Sequence, residues 1–194
     1  MIDTNNLVEI RWHGRGGQGP DTGSQLVAKA AINEGKYAQA FPSFGAERRG
    51  APLLAFNRIS PKVPIRVRFG ITEPDIVVIL DPGLIKVVDV TSGLKEGGII
   101  VINTKKTLDD IAGEYDKIWS VGVVDANRIA QEMLGVLIVN TTMIGALLRL
   151  IEVVKLESLN EPLQERFGRL AERNVKAMKR AYEETKVKNR VINH

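Results

Sequence analysis

Gly14-Arg15-Gly16-Gly17-Gln18-Gly19 sits where one hydrophobic pattern ends and another begins. On its amino side, Leu7-Val8-Glu9-Ile10-Arg11-Trp12 alternates apolar and polar residues as far as Arg11, the pattern of a half-buried strand. On its carboxyl side, Asp21 or Thr22 can cap a helix that runs through Gln25, Leu26, Val27, Ala30 and Ala31 and stops at Gly35. The glycines are therefore expected in the turn of a first strand–helix unit. Glycine lets the backbone take positive φ and come close to a ligand. A helix N-terminus presents unpaired N–H groups and partial positive charge, which suits a phosphate or carboxylate. Arg15 adds a full charge.

Tyr37-Ala38-Gln39-Ala40-Phe41 reads as a short second strand, and residues 42–52, rich in Pro, Gly and charge, read as a loop. Leu53 to Ile59 and Ile65 to Phe69 read as a β-hairpin around Ser60-Pro61-Lys62-Val63-Pro64. If Ile59 lies opposite Ile65, Arg58 faces Arg66, and Arg68 shares their side. Such a face is either solvated or binds an anion or partner, and the pattern leaves both open. Three apolar runs follow, Ile76 to Leu80, Ile99 to Ile102 and Ile118 to Val124, each ending at Asp or Asn. Near-continuous runs of this kind mark strands buried on both faces of a parallel sheet. Helices are expected after Asp81, from Thr107 or Asp109, and over Asn127 to Leu134.

From Asn140 the chain turns helical, first to about Val154. A capping box at Ser158-Leu159-Asn160-Glu161 opens the next helix, which stops at Gly168. A last helix runs from Arg169 to about Thr185, with Leu170, Asn174, Ala177, Met178, Ala181 and Tyr182 on one face. Lys186 to His194 is polar and expected to fray. The fold expected over residues 1–194 is a single three-layer α/β module. It has a mostly parallel central sheet, an added β-hairpin and a helical C-terminal part. Ligands gather at the carboxyl ends of such strands, where His13, Asp81, Asn103 and Asp125 fall. Asp81 and Asp125 read first as helix caps.

The 194 residues contain no cysteine, which excludes disulfides, thiolate-held iron–sulfur clusters and a cysteine nucleophile in this chain. Two histidines do not make a His-rich metal site. A net charge of +4 suits an anionic ligand or an acidic partner, but the basic residues are dispersed, so nucleic acid is not expected. No apolar run approaches a membrane span and no signal peptide is visible, so a cytoplasmic location is expected. No catalytic set assembles: Ser24 and Ser43 lack a nucleophile-elbow pattern, and His13 reads as a packed or hydrogen-bonded histidine.

Gly14, Gly16 and Gly19 also match G-x-G-x-x-G, so a self-sufficient Rossmann-like nucleotide-binding oxidoreductase is the alternative reading. That fingerprint needs an acid at the end of the second strand, and here the strand ends Ala40-Phe41-Pro42.

Three segments carry a resemblance to a known family. They are Arg11-Trp12-His13-Gly14-Arg15-Gly16-Gly17-Gln18-Gly19, Phe41-Pro42-Ser43-Phe44-Gly45-Ala46-Glu47-Arg48-Arg49-Gly50-Ala51-Pro52 and Asn140-Thr141-Thr142-Met143-Ile144-Gly145-Ala146. Together they closely resemble the gamma subunit of 2-oxoacid:ferredoxin oxidoreductases, nearest to the pyruvate (pyruvate synthase) and 2-oxoisovalerate enzymes. The resemblance runs from about Glu9 to Glu184. It implies a complex that oxidatively decarboxylates a 2-oxoacid, joins the acyl group to coenzyme A and reduces ferredoxin. It places thiamine diphosphate on alpha and beta subunits and iron–sulfur clusters on beta and delta, with neither on gamma. It implies alpha, beta and delta as partners and a gamma role in assembly and coenzyme A binding, with no complete active site in this chain. The candidate cofactor-binding residues are then Gly14, Arg15, Gly16, Gly17, Gln18 and Gly19, with Arg48 and Arg49 supplying charge to phosphate. A subunit interface is the other reading of Arg48 and Arg49. Pro20-Asp21 depart from the family's small or apolar residues and bring a negative charge beside the presumed anion site.

Overall fold

The computed structural model describes residues 2–43, 51–67, 69–116 and 118–190. Among them, seven strands form one sheet in the order β2-β3-β1-β4-β5-β6-β7. These are β1 (Val8–Arg15), β2 (Tyr37–Pro42), β3 (Pro52–Ser60), β4 (Ile76–Ile79), β5 (Ile99–Asn103), β6 (Ser120–Val124) and β7 (Lys186–Lys188). The centre, β1-β4-β5-β6, is parallel, whereas β3 pairs antiparallel with both β1 and β2, and β7 antiparallel with β6. The helices are α1 (Pro20–Asn33), α2 (Leu108–Tyr115), α3 (Ala126–Leu134), α4 (Asn140–Leu150), α5 (Asn160–Phe167) and α6 (Ala171–Glu184).

The apolar runs become central strands because both of their faces are covered. Ile10, Trp12, Ile76, Val78 and Val101 share one core with Leu26 and Val27 of α1, Ile129 of α3, Met143 and Leu147 of α4, and Met178 of α6. On the other face Val77, Ile79, Ile100, Ile102, Val121 and Val123 pack with Leu84, Leu94, Ile111 and Tyr115. The expected three layers are present.

Several details differ from the sequence reading. β1 is buried on both faces and continues through His13, Gly14 and Arg15, so the turn proper is shorter than the six-residue stretch. Gly19, in the left-handed conformation, caps α1 with Pro20 in its first turn, so neither Asp21 nor Thr22 is the cap. Among the described residues, the hairpin expected from 53–59 and 65–69 does not form. β3 lies between β1 and β2 instead, where both of its edges are hydrogen-bonded, and Ile65 offers its carbonyl to the Gln39 side chain at 3.2 Å. Helix α4 ends at Leu150, and Ile151 is extended. Val153 and Val154 are buried as non-helical chain, with Lys36 Nζ on the Val153 carbonyl at 2.7 Å. Ser158 does not cap α5, because its side chain hydrogen-bonds the Glu34 carboxylate. Leu170 is exposed rather than on the buried face of α6. Residues 186–188 form an edge strand, with Lys188 Nζ 2.7 Å from Asp116 Oδ2.

Candidate functional site

The register brings the carboxyl ends of β1, β2, β4, β5 and β6 and the start of β3 to one edge of the sheet. There Arg15 pairs with Pro52, and Gly16 N donates to the Ala51 carbonyl at 3.4 Å. The glycine stretch and the near end of the 42–52 loop are thus neighbours. Arg48 and Arg49, with Glu47, lie outside the described residues.

Gln18 N donates to the Arg15 carbonyl at 3.1 Å, and Gly17, the third residue of this turn, has φ 98°. A type II turn demands positive φ at that place. Gly19 has φ 79°, and a Cβ there would lie 2.7 Å from Asn140 Nδ2. A Cβ on Gly14 would meet the Pro20 ring at 3.1 Å. These two close approaches are therefore to the protein's own first turn of α1 and to the start of α4, which explains why the first and third recognised motifs belong together.

Arg15 is engaged at this edge. Its Nε lies 2.6 Å from Asp81 Oδ2, its N–H donates to Gln18 Oε1 at 2.8 Å, and Gln18 Nε2 reaches Asp81 Oδ2 at 3.3 Å. Asp81 also accepts from Gly83 N at 2.8 Å, capping a short 3-10 helix over Pro82–Lys86. The capping role expected of Asp81 holds, and so does that of Asp125, which accepts from Arg128 N at 3.0 Å. Asn103 ties the residue after β4 to the start of α3: its Nδ2 donates to the Leu80 carbonyl, and its Oδ1 accepts from Ala126 N. The α1 N-terminus is a weak anion cradle, because Pro20 has no N–H and Asp21 puts a carboxylate in the first turn. Asp21 Oδ2 accepts from Gln25 Nε2 at 2.8 Å, and its Oδ1 is buried without a partner.

His13 is buried, and its Nε2 accepts from Arg11 Nε at 3.0 Å. Arg11 Nη2 also donates to the carbonyls of Val90 and Ser92. Burial, and then the Arg11 charge, hold the His13 pKa down to about 4. His13 is thus a neutral hydrogen-bond acceptor within the fold, the structural role that its lack of catalytic neighbours suggests.

Beside the glycine turn lies a cavity of about 470 Å³ at the ends of β4, β5 and β6. Ile85, Ile102, Ile111 and Tyr115 give it an apolar floor, Asn103, Thr104 and Asn127 are polar walls, and Lys86, Lys105 and Lys106 stand around it. Gly83 also lines it, and a Cβ there would be 3.9 Å from Arg15 Nη2. The lysines were missed in the sequence because no motif surrounds them. Lys105-Lys106 directly after an apolar strand was the available signal.

The dinucleotide alternative meets a topological obstacle. In that fold the second strand lies next to the first, so its terminal acid reaches the ribose. Here β3 is inserted between β1 and β2.

Comparison with known proteins agrees. The model of the family described as pyruvate ferredoxin/flavodoxin oxidoreductase matches residues 9–184. The common subunit gamma of the pyruvate/ketoisovalerate oxidoreductases of Thermococcus litoralis is 50% identical over 183 residues, 93% of this chain and 98% of that one. Pyruvate synthase subunit PorC of Methanothermobacter marburgensis is 49% identical over 181 residues, 93% of this chain and 98% of that one. The crystal structure of pyruvate oxidoreductase subunit PORC from Thermotoga maritima superposes with a TM-score of 0.84 at 39% identity, covering 95% of this chain and 99% of that one. The chain therefore belongs to the pyruvate ferredoxin/flavodoxin oxidoreductase family, as a gamma-type subunit.

Proposed function

We propose that this gamma subunit works in a cytoplasmic complex with alpha, beta and delta subunits that oxidatively decarboxylates a 2-oxoacid, transfers the acyl group to coenzyme A and passes the electrons to ferredoxin. Its own part is to hold coenzyme A and to seat the subunits that carry thiamine diphosphate and the iron–sulfur clusters. One observation carries the coenzyme A reading: the lysine-rimmed cavity at the carboxyl edge, with Arg15 beside it. Coenzyme A joins an adenine ring to a diphosphate and a 3′-phosphate, so it wants an apolar surface with cations around it. Ile102, Ile111 and Tyr115 offer the first, and Lys86, Lys105 and Lys106 the second. The turn from Gly14 to Gly19 extends this surface toward β3. In this role the chain binds and orients, and Asp81 fixes the direction of the Arg15 guanidinium. Among the described residues, no helix is long and apolar enough to cross a membrane.

The test is the coenzyme A KM of the reconstituted complex with Arg48→Ala and with Arg49→Ala. A rise in KM with unchanged subunit composition is expected. Unchanged KM in both assigns these two residues a purely structural role.

A further inference from the structure

The opposite edge of the sheet carries a feature that coenzyme A chemistry does not use. Between the start of β1 and the segment after β3 lies a cavity of about 380 Å³, lined by Leu7, Arg58, Ser60, Val63, Ile65 and Arg66, among others. Arg58 is only 2% exposed. Its Nε donates to Glu9 Oε1 at 2.7 Å, and its guanidinium stacks on Phe41 and Phe69 at 5.4 and 5.8 Å from the ring centres. Its Nη1 is buried with no hydrogen-bond partner. A buried charged donor without an acceptor carries a desolvation penalty that a bound acceptor removes. Glu9 offsets one of the two arginine charges, and the exposed Arg66 leaves the mouth positive.

The surroundings of the cavity are apolar and open. Leu7, Val63 and Phe69 are 45, 64 and 73% exposed. An exposed aromatic and aliphatic side chains around arginines make up the composition of an interface centre rather than of a solvated face. The apolar surface also extends beyond the cavity, to Phe69, farther than a small anion would cover. A second copy of this chain is disfavoured, since a two-fold contact through this patch would set Arg66 against arginines.

We infer that this amino-edge face docks a partner subunit of the same complex, receiving a segment in which a carboxylate is flanked by apolar side chains. The carboxylate lies against Arg58 and Arg66, and the apolar groups cover Leu7, Val63 and Phe69. The inference rests on the gamma-subunit reading but not on coenzyme A contact. It takes up the alternative that the sequence left open for the arginine face, now on a cavity wall instead of a hairpin.

The experiment titrates the full chain against the remaining subunits, with Arg66→Glu and Phe69→Ser compared to the wild type. Both positions are exposed; the thermal midpoint of the free chain should not move for Arg66→Glu, and should fall by about a few degrees at most for Phe69→Ser, which loses its stacking on Arg58. About a tenfold or larger rise in Kd is expected for each. Wild-type Kd for both overturns the inference. A concentration-dependent dimer of the free chain that Arg66→Glu abolishes would also overturn it, in favour of a second copy. A wild-type chain that does not bind the thiamine-carrying subunits at all sinks the gamma role itself.

Discussion

Arg15 Nε sits 2.6 Å from Asp81 Oδ2, tying the end of β1 to the residue that caps the 3-10 helix after β4. The cation of the glycine turn is thereby aimed along the carboxyl edge, beside the cavity that Gly83 lines. The pair is partly exposed, so its own contribution is about 1 kcal/mol or less. Its value is positional.

Asp81 serves both the pair and the cap, and substitution separates them. Asp81→Asn keeps a capping oxygen for Gly83 N and should cost under about 1 kcal/mol. Asp81→Ala loses both contacts and should cost about 1–2 kcal/mol. Denaturant midpoints of the two variants measure the difference. Equal losses would show that the cap contributes nothing.

Close backbone approaches at Gly19 and Gly145 predict unequal penalties. Gly19→Ala adds roughly 1–2 kcal/mol of left-handed strain to a contact with the Asn140 side chain. Asn140→Ala in the same chain should relieve the contact but not the strain. At Gly145 a Cβ would lie 2.0 Å from the Met178 carbonyl oxygen, which is backbone of α6 and cannot yield. Gly145→Ala should cost about 3 kcal/mol or more. Thermal melts of the three variants check this order.

The buried His13 makes stability depend on pH. Its folded pKa of about 4 lies below the ordinary value of 6.5, so the unfolded chain binds the proton more readily. The stability associated with neutral His13 is complete above pH 6.5 and is lost as pH falls through 4, by up to roughly 3 kcal/mol. Replacing it by Gln should flatten the stability profile between those limits, as read by urea unfolding at a series of pH values. An unchanged slope would mean that His13 takes up its proton without unfolding.

The strands that the sequence declares most clearly are β4, β5 and β6, because burial on both faces leaves a near-continuous apolar run. The partner of a strand is not written in this way. Leu53 to Ile59 has strand composition whichever neighbour it takes, and the nearest candidate, Ile65 to Phe69, was the wrong one. The pairing was settled by β1 and β2, which offer two free edges to β3. The end of β1 was obscured by glycine, which reads as turn although Gly14 is in register with Leu53. The glycine turn was legible as a special backbone but not for its reason. The approaches of Gly14 to Pro20 and of Gly19 to Asn140 are tertiary, and residue 140 is far along the chain. Lys86, Lys105 and Lys106 come together only when the 3-10 helix and the end of β5 are neighbours, so no local pattern announces them.

The most direct test of coenzyme A contact is the steady-state KM of the reconstituted complex carrying Lys105→Glu and Lys106→Glu together. Loss of charge-assisted bonds to phosphate predicts a rise of about tenfold or more in the coenzyme A KM. The 2-oxoacid KM and the subunit composition should stay at wild-type values. A coenzyme A KM equal to the wild type would contradict the assignment of this edge to coenzyme A.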